Sequence, residues 1–224
     1  MLHPHSGSIQ QYTEQIDDPN RGRPLSCPQC RAKEPLRAHG FYCRTIVDQA
    51  FDGLIRIRRY LCQACLRTVS LLPEWALPFM RFSIPVIANT VKARLMENRA
   101  WKASAPGVPY QRGQHWVRRF AKQAEPLTAA LAALTAVIAA PSFISKALGT
   151  LEETGWTAAH RFLFSDLRIH LLGWGRSLAT HGRRVTNNET TPCLIVPPAV
   201  RFSFFTLLSI SPKLSRRDAG SFRY

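Results

Sequence analysis

Four of the six cysteines in this 224-residue chain fall in two matching pairs. Cys27-Pro28-Gln29-Cys30 and Cys62-Gln63-Ala64-Cys65 are both CxxC, with 31 residues between them. Each pair offers two thiolates from one tight turn. Two such pairs close a tetrahedral four-sulfur shell of the kind that holds one structural zinc ion. A closed shell leaves no position for water or substrate, so the expected chemistry is scaffolding. The competing reading is a redox dithiol, which ordinarily precedes a helix in a βαβ setting. Neither pair does so here. Cys43 is expected to be a packed strand cysteine, and Cys193 is isolated.

The residues between the pairs predict the hairpin that would carry them. Residues 41–47 are β-branched and aromatic, residues 48–53 supply a turn with Asp52-Gly53 as its strongest signal, and residues 54–61 alternate. Leu54, Arg56, Arg58 and Tyr60 fall on one face, with Ile55, Ile57 and Leu61 on the other. With Arg59, Arg44 and Arg67 nearby, the arginine face is a candidate phosphate contact. About 50 residues with two strands bury little core alone, so metal binding is expected to supply folding energy.

Charge singles out a class of partner. Lys and Arg number 30 against 14 Asp and Glu, a net charge of +16 and a pI near 10.5. The excess is spread out: 8 basic against 3 acidic residues in 25–73, 9 against 3 in 74–125, and 11 against 5 in 126–224. A folded body of this kind repels itself unless a polyanion relieves it, which points to nucleic acid before an anionic membrane.

Helical spacing begins after a Pro- and aromatic-rich connector, residues 74–82. Ser83 is a candidate N-cap with Pro85 in the first turn, and Ile84, Ile87, Ala88, Val91 and Leu95 form an apolar stripe. The turn Pro106-Gly107-Val108-Pro109 leads to a second helix, predicted over residues 110–124. Its apolar stripe is Gly113, Trp116, Val117, Phe120 and Ala124. The other faces carry Gln111, Arg112, Gln114, His115, Arg118, Arg119 and Lys122. That is the profile of a recognition helix: Gln and Arg suit adenine and guanine edges, and the later cations suit phosphates. Gly113 departs from the pattern, because such helices usually bury a branched residue there.

Beyond residue 125 the chemistry thins. Residues 127–140 form an uncharged stretch stopped by Pro141, too short and too weakly apolar to span a bilayer. It is expected to be a packing or dimerisation helix. Residues 161–178 read as an amphipathic helix. His160, His170 and His181 are ten and eleven residues apart, which on one helix would separate neighbours by about 15 Å, beyond any shared metal shell. No phosphate loop or nucleophile elbow occurs.

The run CPQC…HGFYCRTIVD…IRIRRYLCQACLRTVSLLP, followed by GVPYQRGQHWVRRF, resembles the N-terminal half of certain bacterial insertion-sequence transposases. It is also similar to an uncharacterised bacterial family of stand-alone proteins related to them. The likeness covers roughly residues 25–122. It implies a zinc ribbon on Cys27, Cys30, Cys62 and Cys65, and a DNA-meeting helix containing Arg112, Trp116, Arg118 and Arg119. It carries over no catalytic site. Such transposases hold two metal ions on three carboxylates of a ribonuclease-H-like sheet, whereas Glu152, Glu153 and Asp166 here sit in helical surroundings.

The expected fold is α+β: a small zinc ribbon followed by a mainly helical, helix-turn-helix-like domain. The expected organisation is a flexible lead (1–24), the ribbon (25–73), a connector with the helix-turn-helix (74–125), a helical tail region (126–182) and an irregular basic C-terminus (183–224). The expected function is zinc-stabilised binding of double-stranded DNA by a transposase-related accessory, regulator or remnant. One structural zinc is the cofactor, a homodimer through residues 126–178 is a candidate assembly, and neither a small-molecule substrate nor a membrane partner is expected. No basic segment followed by an apolar run opens the sequence, so a cytoplasmic, nucleoid-associated location is expected. The alternatives are a divergent carboxylate transposase or recombinase, and a protein-docking module using the ribbon and Trp75, Phe79 and Phe82.

Overall fold

The computed structural model describes residues 2–3, 7–105 and 107–173. Two antiparallel strands dominate the first half, β2 (Arg37–Val47) and β3 (Asp52–Leu61), with β4 (Thr68–Ser70) adding a third strand to β3. Two short strands, β1 (Leu2–His3) and β5 (Leu72–Pro73), pair in parallel beside them. The helices are α1 (Ile9–Gln15), α2 (Ile84–Leu95), α3 (Trp101–Ser104), α4 (Tyr110–Leu131), α5 (Phe143–Thr154) and α6 (Trp156–Ser165). The α+β expectation thus holds, with a three-stranded antiparallel sheet and the four-cysteine cluster at one end of it.

The hairpin turn falls earlier than predicted. Asp52 and Gly53 already belong to β3, opposite Val47 and Ile46, and the reversal is made by residues 48–51, closed by the Phe51 carbonyl accepting from the Asp48 amide at 2.7 Å. The Phe51 ring folds over Gly53, where a Cβ would meet it at 3.0 Å. Near the other end, His39 and Gly40 on β2 stand opposite the single residue Arg59, and Gly40 takes a φ of +82° to form this bulge.

The segment expected as a flexible lead is instead structured. Ser8 and Gln11 form a reciprocal capping box at the start of α1. Ile9, Tyr12 and Ile16 recur at helical spacing and are buried with Ile46, Ile55, Ile57 and Trp75. A short polar run with three well-placed apolar residues was enough, because the sheet supplied the surface to bury them.

The boundary expected at residue 125 is also absent. α4 continues through Pro126 to Leu131, and a single core runs from Leu77 through Trp116, Phe120, Leu127, Leu148 and Leu163 to Leu172. The helix expected over 127–140 is therefore the end of α4 plus an irregular stretch. That expected over 161–178 is α6, which starts after Gly155 (φ +86°) and stops at Ser165. Residues 174–182, the C-terminal region 183–224, His181 and Cys193 lie outside the described residues. No helix among the described residues is long and apolar enough to cross a membrane.

The turn end of the hairpin is fastened to the helical unit. The Val47 amide donates to the Arg81 carbonyl at 2.7 Å, and Val47 accepts from the Ser83 amide at 2.9 Å. The Ser83 hydroxyl donates to Asp48 while also capping α2. Arg81 pairs with Asp52 at 2.8 Å, and Arg44 donates to the carbonyls of Leu77, at 3.1 Å, and Met80.

Candidate metal centre and cationic helix

Each CxxC pair sits on the same backbone device. The Cys27 carbonyl accepts from the Arg31 amide and the Cys27 amide donates to Ala32, both at 2.9 Å. Cys62 repeats this with Leu66 at 2.9 Å and Arg67 at 3.0 Å. In each turn the residue four after the first cysteine is left-handed, Arg31 at φ 61° and Leu66 at φ 55°. The Arg67 guanidinium then ties the two turns together through the Gln29 side-chain carbonyl at 3.2 Å.

These turns bring all four sulfurs within 4.8 Å of one another. Cys27 and Cys65 are 3.8 Å apart, and Cys30 and Cys62 3.6 Å. Four thiolates bonded at about 2.3 Å to one tetrahedral ion require sulfur–sulfur edges of about 3.8 Å. The residues therefore fit one metal ion, for which zinc is the typical occupant of a four-thiolate shell. Cys27 and Cys62 are buried against Leu36, Tyr60, Val69 and Leu71, while Cys30 faces solvent. Four sulfurs this close cannot all carry charge unaided. Burial disfavours the Cys27 thiolate, but the amides of Cys30 and Gln29 outweigh it and bring the thiol down to about 7. The Ala32 amide favours a thiolate at Cys30, yet desolvation and the sulfurs of Cys62, Cys65 and Cys27 push that thiol up to about 12. A divalent cation would remove this conflict.

The arginine face of the hairpin is not open. Arg58 is buried, lies over the Phe41 ring at 4.0 Å, and donates to the carbonyls of Ile16 at 2.9 Å and Asp17 at 2.7 Å. Arg56 pairs with the Asp17 carboxylate, and the Tyr60 hydroxyl donates to Pro19 at 3.2 Å. Arg59 is half-buried opposite Ser70. The lead segment therefore takes up the donors of Arg56 and Arg58, two of the arginines expected at phosphate. The carbonyls of Ile16 and Asp17 carry no sequence signal, since every residue has one. Cys43, opposite Arg56, is half-buried rather than fully packed.

The helical candidates divide differently. Trp116 and Phe120 are fully buried and anchor α4, as expected; Trp116 meets Phe82 edge-on at 5.0 Å. Gly113 is buried too, and the Trp101 ring of α3 fills the place of a branched side chain, 3.1 Å from where a Cβ would stand. Gln111, Arg112, His115, Arg118 and Lys122 are exposed along α4, and Gln114 is half-buried between Tyr110 and Arg118. Burial and then the charges of Arg119, Arg112 and Arg118 hold His115 below the usual imidazole range. Arg119 behaves otherwise: it donates to the carbonyls of Leu172 at 3.0 Å and Gly173 at 2.9 Å, and so fastens the chain after α6.

Other residues considered for chemistry have structural partners. The Glu152 carboxylate accepts from Lys92 and, at 2.7 Å, from the Trp156 indole. His160 and His170, expected far apart on one helix, are both buried with rings 6.4 Å apart, because α6 ends between them. Burial holds each down to about 4. Arg161 pairs with the largely buried Glu74 at 3.1 Å, and Phe164 packs against the sheet cluster, so α6 docks on the ribbon. Trp75 and Phe82 are buried, which leaves Phe79 as the exposed aromatic of the connector. The apolar residues of 126–173 expected at a dimer contact, such as Leu131, Leu148, Leu151 and Leu163, lie in the chain's own core.

Residues 27–105 match a family described as a domain of unknown function, DUF6431. The matched span takes in both cysteine pairs, the hairpin, α2 and α3, and it stops before α4. No curated protein and no solved structure matches the chain.

Proposed function

We propose that the protein binds double-stranded DNA through the exposed ridge of α4, on a scaffold completed by one zinc ion in the four-cysteine shell. The observation that carries this reading is the division of α4 into two faces. Trp116 and Phe120 fix one face to the core, while Arg112, His115, Arg118 and Lys122 project from the other. A helix held this way after α2 and the short α3 has the helix-turn-helix order, with polar and cationic side chains in its first turns where base edges are met. The net charge of +16 supplies the attraction to phosphate. Zinc is the ion we assign, because a closed four-thiolate tetrahedron suits it and nothing in that shell remains open for chemistry. The setting we infer is an accessory, regulatory or remnant role related to insertion-sequence transposition, resting on the sequence resemblance of residues 25–122.

A duplex-binding titration across a salt series, with and without a zinc chelator, tests the reading. Affinity is expected to fall steeply with salt and to drop when the metal is stripped. No binding at low salt by the zinc-loaded protein overturns the reading. A second reading, protein docking by the ribbon tip, draws on Leu25 and Leu66, which flank the cysteine turns at 77% and 75% exposure. Salt-insensitive binding to a protein in place of DNA would favour it.

A further inference from the structure

Tyr110, Gln114 and Arg118 stand one turn apart on the α4 ridge and are joined by hydrogen bonds. The Gln114 amide nitrogen donates to the Tyr110 hydroxyl, and the Arg118 guanidinium donates to the Gln114 side-chain oxygen at 3.2 Å. Arginine only donates, so the oxygen of the Gln114 amide must face Arg118 and its nitrogen must face Tyr110. Each of those atoms keeps one further site, an N–H on the nitrogen and a lone pair on the oxygen. That pair complements the N7 acceptor and N6 donor that adenine presents in the major groove.

The anchor of this ladder is itself held. Tyr110 meets the Trp101 ring edge-on at 5.3 Å, Trp101 is seated against Gly113, and the Arg94 guanidinium lies over Trp101 at 4.6 Å. Glycine inside a helix is unfavourable relative to alanine. Its presence at 113 lets Trp101 approach and fix the start of the ridge.

We infer that Gln114 is the specificity-determining residue of this surface and reads an adenine, with Tyr110 and Arg118 as positioning residues that lock its amide. This inference rests on the DNA reading above. A free glutamine on a helix samples several rotamers and both amide orientations. A locked one meets the base with less ordering left to do.

The test selects bound sequences from a duplex pool with a randomised core, using the wild type, Gln114→Ala and Tyr110→Phe, with thermal midpoints measured alongside. The wild type is expected to enrich a site with a fixed adenine. Replacing that adenine with 7-deaza-adenine, which lacks the N7 acceptor, is expected to weaken binding about ten- to a hundred-fold. Gln114→Ala should lose the preference at that position alone. Tyr110→Phe keeps the ring and the Trp101 contact but removes the acceptor, so it should blur the preference while leaving the salt dependence and the midpoint unchanged. Salt-dependent binding with the same preferences in Gln114→Ala overturns this inference and leaves the DNA reading standing. No retention of the pool by the wild type overturns both.

Discussion

Arg118 and Arg119 are adjacent, identical in type and sit on the same helix, yet the structure gives them different work. Arg119 donates to the carbonyls of Leu172 and Gly173, and Leu171 and Leu172 are fully buried in the helical core. Arg119→Ala removes two charge-assisted hydrogen bonds, each of which is typically worth about 1.5–3 kcal/mol. The guanidinium is half-exposed, so solvent screening lowers the total to about 2–3 kcal/mol. For a chain of this size that is a fall in thermal midpoint of about 5–10 °C. Arg118→Ala removes a partly exposed side chain with one neutral acceptor, and should change the midpoint by less than about 2 °C. The salt series should show the reverse. Under the proposed DNA binding, losing one phosphate contact lowers the slope of log affinity against log salt by about 0.9, and this is expected for Arg118→Ala and not for Arg119→Ala. Thermal melts and salt titrations on the two single variants decide the matter. If Arg119→Ala melts with the wild type and flattens the salt slope as Arg118→Ala does, the structural assignment of Arg119 is wrong.

Cys62→Ser, or chelation, is expected to unfold the ribbon end of the sheet, read as loss of amide-exchange protection in β3 and β4, whereas cobalt(II) loaded into the four-cysteine shell should show the absorption of a tetrahedral thiolate site. Acid should weaken the fold through the buried histidines. Both stay neutral in the folded state, down to about 4 against an ordinary value near 6.5, so the stability they contribute is complete above 6.5 and is lost as pH falls towards 4. The loss amounts to about 3 kcal/mol for each ring, and a urea midpoint that falls no faster with pH in the wild type than in a His160→Gln, His170→Gln double variant would contradict it. Gly113→Leu restores the branched residue that the sequence pattern leads one to expect, and is expected to destabilise by about 1–3 kcal/mol because it displaces Trp101; a variant as stable as wild type in denaturant melts would show that Trp101 is not seated there.

The parts legible in the sequence were those written in short-range patterns. Cysteine spacing pointed to the cluster, the Ser83–Pro85 start and its apolar stripe pointed to α2, and alternation pointed to β3. What alternation cannot say is which strand face meets solvent. Arg56 and Arg58 look like a surface face until the Asp17 carboxylate is placed against Arg56 and the carbonyls of Ile16 and Asp17 against Arg58, and backbone oxygens are the same in every sequence. The reach of α4 was missed for a related reason. The helix expected to end at residue 124 runs on through Pro126, because the packing of Leu127 and Leu131 outweighs the hydrogen bond that the proline removes. His160 and His170 met because a chain reversal after Ser165, with no glycine or proline to announce it, put them together.

The long hairpin is clamped at both ends by unlike means. The cysteine turns hold one end, and Val47, Asp48 and Asp52 hold the other through Arg81 and Ser83. Between the clamps run about ten residues per strand, some 30 Å of chain. A strand fixed at both ends behaves as a ruler of set length. A single inserted residue in β3 would have to turn Ile55 and Ile57 out of the core or pull one clamp off its partner. Length variation in relatives should therefore gather at the His39–Gly40 bulge, at residues 49–51 of the turn and in residues 33–36, leaving the span of β3 constant. A deletion there would be rescued only by a compensating change that restores the distance between the cysteine turns and the helical unit.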